Sequence, residues 1–71
     1  MTMCYAVTHN GAPVLGVHFA DDEIALRYAE NECTARLKHR GPGYAVELWE
    51  WLESPATDWS APDKRTTVFP R

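Results

Sequence analysis

Two residues near the start of the chain, Asn10-Gly11, constrain its fold more than any others. They stand between two apolar runs, and a two-residue hairpin turn needs φ > 0 at both central positions, which Asn tolerates and Gly adopts freely. The dipeptide predicts a β-hairpin, and the turn then sets the register. In that register Val7 faces Val14, Ala6 faces Leu15, Tyr5 faces Gly16, Cys4 faces Val17 and Met3 faces His18. One face then carries Cys4, Ala6, Leu15, Val17 and Phe19, all apolar, and is expected to be the core side. The other carries Met3, Tyr5, Val7, Val14 and His18. Pro13 falls opposite Thr8 at a non-hydrogen-bonded pair and offers no N–H, which makes the second strand a sheet edge.

A helix follows. Asp21 is placed to cap it, and Asp22 and Glu23 put negative charge in the first turn, where the helix dipole favours it. Arg36, Lys38, His39 and Arg40 precede Gly41-Pro42-Gly43, the pattern of a helix end. At roughly 100° per residue, Leu26, Ala29, Cys33 and Leu37 form one stripe with Ala25 beside it. Ile24, Tyr28 and Ala35 form a second facet, free to meet the tail or a partner. Glu32 and Arg36 lie between the two as an i,i+4 pair.

Residues 44–52 read as a third strand, with Tyr44, Val46, Leu48 and Leu52 pointing one way and Glu47, Trp49 and Trp51 the other. A short helix over 47–53 competes, because Glu and Leu are good helix formers. The aromatic content and the preceding Gly-Pro-Gly favour the strand. Residues 54–65 read as loop, and residues 66–71 as a short last strand or tail. The whole is one domain of α+β class, β-β-α-β-(β), with an antiparallel or mixed sheet of three to four strands and one helix on one face. A right-handed crossover gives the sheet order 2-1-3-4.

At 71 residues the chain lies near the lower size limit for folding without metal or disulfide staples. Its two cysteines have no Cys-x-x-Cys spacing, and no apolar run reaches membrane-spanning length. With no leader-like N-terminus, these features predict a cytoplasmic setting and no membrane association.

One helix covers one face of such a sheet, so the other is expected to stand open. The partner-binding candidates on it are Met3, Tyr5, Val7, His18, Trp49 and Trp51, an aromatic set of the kind enriched in binding hot spots. Either the tail folds back and covers this face with Trp59, Val68 and Phe69, or a protein partner does so, a second copy or another chain. If a partner does, Trp49→Ala with Trp51→Ala is expected to abolish association and leave the monomer folded.

Catalytic signals are weak. The hairpin register separates Cys4 from His18, so no thiol–imidazole pair is expected. Cys4 and Cys33 read as buried thiols that could approach one another, and His9, His18 and His39 lack metal-ligand spacing. Asp21, Asp22 and Glu23 are accounted for by capping. The expectation is a non-enzymatic protein-binding module without cofactor or metal, a homodimer or an inhibitor or regulator of a larger protein. The alternative is a nucleic-acid-associated accessory protein, in which Arg36, Lys38, Arg40, Lys64 and Arg65 form a basic patch beside stacking aromatics. The formal net charge of −3 and the glutamates 47, 50 and 53 weigh against it.

Overall fold

The Asn10-Gly11 turn forms as the sequence predicts, with φ of 52° and 88° at its two residues. It joins β1 (Thr2–His9) to β2 (Ala12–His18) in a computed structural model that describes residues 2–18, 21–53 and 60–70. Next to the turn the register is the expected one, with His9 opposite Ala12 and Thr8 opposite Pro13. The ladder then shifts. A bulge between Val7 and Thr8 leaves Val14 as the extra residue, so Val7 faces Leu15, Ala6 faces Gly16, Tyr5 faces Val17 and Cys4 faces His18.

This corrects the pairing expected from the turn alone. Side chains alternate with a period of two, so one inserted residue exchanges the faces of β1 relative to β2. Leu15 and Val17 do lie on the helix side, but Tyr5 and Val7 join them there. Cys4 and Ala6 turn to the opposite face and pack with Trp49 and Trp51. Phe19 and Trp59, expected in the core and over the open face respectively, lie outside the described residues.

Helix α1 spans Asp22–Arg40. The Ile24 backbone N–H donates to Asp21 Oδ1 at 3.0 Å, which satisfies one of the free donors of the first turn. Gly41 ends the helix at φ 107°, a conformation that a side chain would oppose. Ala25, Ala29 and Cys33 are its buried residues, small enough to bring it close to the sheet, and Leu26 and Leu37 pack at their side. The helix rests chiefly on β1 and β3, touches β2 less and β4 least.

Residues Tyr44–Trp51 form β3, so the competing helix over 47–53 is not adopted. Strand β4 runs Lys64–Phe69, two residues earlier than expected, which places Lys64 and Arg65 in the sheet and not in the loop. The order is β2-β1-β3-β4, and every neighbouring pair is antiparallel. Four strands in one sheet with a helix on one face make the α+β class. Val68 and Phe69 join the helix-side core with Val46 and Leu48, so they do not cover the other face.

The hairpin tip is tied to the start of β3. Asn10 N–H donates to Gly43 O at 2.9 Å, and His9 stacks on Tyr44 at 4.4 Å. Gly43 has φ 101°, and a Cβ there would lie 2.7 Å from Asn10 Oδ1, so both backbone shape and space require glycine. No helix among the described residues is long and apolar enough to cross a membrane.

Candidate functional site

The six residues expected to share one open face are divided by the bulge. Tyr5 and Val7 are buried beneath the helix. Met3 alternates with them on the same side of β1, opposite Glu50, and is exposed. Trp49 and Trp51 lie on the far face with His18, which is exposed at the end of β2.

Tyr5 shows how firmly the helix side is closed. Its hydroxyl donates to Asp22 Oδ1 at 2.8 Å, joining β1 to the first turn of the helix. Burial, then the hydrogen bond and charge of Asp22, push its pKa up to about 12. An unfolded tyrosine ionises near 10.0, so the folded state binds the extra proton and loses stability as pH rises from 10.0 toward 12. Tyr5→Phe is expected to lower stability by about 0.5–1.5 kcal/mol and to flatten this alkaline decline, measured by urea unfolding at pH 8 and above 10.

The far face is not bare. Small residues on β1, namely Cys4, Ala6 and Thr8, form its floor, and Glu47, Trp49 and Trp51 of β3 lie beside them. The two indoles meet edge-on with centroids 6.0 Å apart. Trp49 and Trp51 are only 2% and 3% exposed. Each indole N–H has a partner: Trp49 Nε1 donates to Glu47 Oε1 at 2.8 Å, and Trp51 Nε1 donates to Ser60 O at 3.1 Å. The chain that leaves β3 at Trp51 therefore returns beside it at Ser60.

At the centre of this face is an ion pair that the sequence reading missed. Arg65 Nε donates to Glu47 Oε1 at 2.6 Å, its second arm donates to Gly11 O at 2.8 Å, and its guanidinium lies 4.8 Å from the Trp49 ring centroid. Arg65 thus ties β4, β3 and the hairpin tip together across the tryptophans. Burial alone would raise the Glu47 pKa. Hydrogen bonds from Arg65, Trp49 and Thr8, with the Arg65 charge, outweigh that and hold the carboxyl below its ordinary value. One signal was available: a glutamate alternating with two tryptophans on a strand face needs a cation when that face is covered.

With Arg65 engaged here, the five basic candidates do not gather. Lys64 and Arg65 pair with Glu50 and Trp49 at the far end of β3. The Arg65 guanidinium lies on the far face against Trp49 and Gly11, whereas Arg36, Lys38 and Arg40 belong to the helix that covers the opposite face. Arg36 is bound to Glu32, by 3.1 Å contacts to its carboxylate and its backbone oxygen.

Cys4 and His18, expected to be apart, are cross-strand partners, with Cys4 buried and His18 exposed. Cys4 and Cys33 lie buried on opposite sides of the sheet and are not joined in a disulfide. Burial pushes the Cys33 thiol up, and the nearby Arg36 offsets this only in part, which keeps it in the unreactive form. Among the described residues no group of three or more His, Cys, Asp or Glu side chains is placed to hold a metal ion.

Apart from Met3 and Leu52, the exposed large apolar residues among those described lie elsewhere. On β2, Ala12, Pro13 and Val14 are exposed, Leu15 and Val17 are half-buried, and the strand contains no Asp, Glu, Lys or Arg. On α1, Ile24 is 66% and Tyr28 51% exposed, and Ala35 lies about two turns further along the same flank. The usual right hand of a β2–α1–β3 crossover turns this flank toward β2, and the Leu26–Leu37 flank toward β4. The β2 edge and the Ile24–Tyr28 flank are therefore adjoining parts of one surface, the candidate site. Comparison of the chain with protein-family models, with curated proteins and with solved structures finds no match in any of the three.

Proposed function

We propose that this chain is a non-enzymatic protein-binding module that engages its partner by strand addition at the β2 edge. The observation that carries this reading is the contrast between the two edges of the sheet. Natural sheets protect an edge with charge, proline or a bulge, because its outward N–H and C=O groups accept any extended chain. Strand β4 carries Lys64, Arg65 and two threonines, with Pro70 directly after it. Strand β2 has Pro13 and the bulge only at its hairpin end, and beyond them runs Leu15-Gly16-Val17 with no charge. Backbone pairing there supplies affinity, and the half-buried Leu15 and Val17 with Ile24 and Tyr28 supply apolar contact for specificity.

This reading moves the binding surface away from the tryptophans, whose contacts within the chain already occupy them. It keeps the role of partner or regulator of a larger protein and leaves the basic residues no common surface for nucleic acid. Photo-crosslinking amino acids placed at Val14 and Tyr28, with controls at the exposed Thr34 and Thr66, test it in cells that make the protein. Adducts, to another protein or to this one, are expected from Val14 and Tyr28 and not from the controls. Equal yields at all four positions, or none at Val14, would overturn the reading.

A further inference from the structure

Resting on that reading, we infer that the occupant of the β2 edge is a second copy of this chain, joined β2 to β2 in antiparallel pairing. Three features favour self-pairing. First, an antiparallel edge is self-complementary: a two-fold axis perpendicular to the sheet lets one strand pair with its own copy, the isologous arrangement of most homodimers. The product is one continuous sheet of eight strands with both helices on the same face.

Second, the charge distribution permits it. The chain carries a formal net charge of −3, so two copies repel unless they meet where charge is absent or complementary. β2 has no formally charged side chain apart from the titratable His18 at its end. The same axis sets the two helices antiparallel, so the acidic first turn of each, Asp22 and Glu23, faces the basic last turn of the other, Lys38, His39 and Arg40. Strand β4 instead carries Lys64 and Arg65 on its edge, the charge that discourages edge pairing.

Third, a second copy supplies what the first lacks. The helix covers β2 less than β1 and β3, and Leu15 and Val17 remain half-buried under the Ile24–Tyr28 flank. Joining the β2 strands turns the two flanks toward each other over those four residues. A bare strand from another protein would pair the edge but bring no such flank.

The test is light scattering on the purified chain over a concentration series, with hydrogen exchange read in parallel. The weight-average mass should rise from 8.0 kDa toward twice that value, and β2 amides should slow with concentration while β4 amides do not. Val14→Lys and Tyr28→Lys, both at exposed positions, should each raise the dissociation constant at least tenfold with unchanged circular dichroism. A monomer at every concentration overturns the inference. The strand-addition reading then stands or falls separately on whether Val14 crosslinks to a different protein. A dimer indifferent to both substitutions, or one that protects β4, overturns the inference and the β2 surface together.

Discussion

Replacing Trp49 and Trp51 together by alanine is expected to unfold the chain, not to release a folded monomer. Both indoles are almost fully buried within one copy, and truncating a buried Trp costs about 3–5 kcal/mol in lost transfer energy and cavity formation. Two such losses approach or exceed the whole stability of a small domain, which lies at the low end of about 5–15 kcal/mol. Each single substitution should lower Tm by more than about 12 °C, given about 4–8 °C per kcal/mol at this size. Trp49→Ala also strips Glu47 of the indole N–H and Arg65 of the ring beneath it. Ile24→Ala and Tyr28→Ala, on the exposed flank, should each stay within about 0.5 kcal/mol at protein concentrations where the chain is monomeric. Thermal and urea unfolding followed by circular dichroism measure all of these. A double variant with native circular dichroism and a cooperative transition would show that the far face is a binding surface after all, as the sequence alone suggests.

The exchange of the faces of β1 traces to a single residue, the extra Val14 in β2. The Asn10-Gly11 turn, the helix bounds, the strand at 44–51 and the sheet order were all legible, because each rests on local chemistry: positive φ, capping, a glycine stop and chain crossing rules. The bulge at Val7/Thr8 was not. Both registers give β1–β2 an apolar face, Cys4 and Ala6 with Leu15 and Val17 in one, Tyr5 and Val7 with them in the other. Hydrophobic pattern cannot choose between them. Size could have helped: Cys4 and Ala6 leave room for two indoles on the neighbouring strand, whereas Tyr5 and Val7 would compete with Trp49 for it.

The site was less legible than the fold. Two tryptophans on a strand signal a need for burial, but sequence does not say whether a partner or the chain itself meets it. The answer depends on where β4 lies, since Arg65 closes the face only because Trp49 is its cross-strand neighbour. The features that form the candidate site were on view throughout, as the Ile24–Tyr28–Ala35 facet and a second strand free of Asp, Glu, Lys and Arg. They stood apart until the crossover brought helix flank and strand edge together.

The Glu47–Arg65 pair gives the second large effect, and it carries a pH signature. Glu47→Gln should cost about 2–4 kcal/mol near neutral pH. Breaking a buried pair costs more than that when the orphaned charge is trapped, but Arg65 is partly exposed and can turn to water. Because the folded pKa of Glu47 is depressed below the ordinary 4.5, the unfolded chain takes up this proton first as pH falls. The contribution is therefore fully present above 4.5 and is lost as pH drops through the lower folded value. Arg65 remains charged throughout and adds no slope in this window. Stability curves for the native chain and Glu47→Gln, from urea unfolding between pH 7 and pH 3, should lie apart at neutrality and converge in acid. Arg65→Met should act in the opposite sense on the carboxyl: with the strongest partner gone, burial raises the Glu47 pKa, and the acid-unfolding midpoint moves to higher pH. Coincident curves for the native chain and Glu47→Gln, with an unmoved midpoint for Arg65→Met, would mean that the pair is formed but contributes nothing. The tryptophans alone would then hold the far face closed.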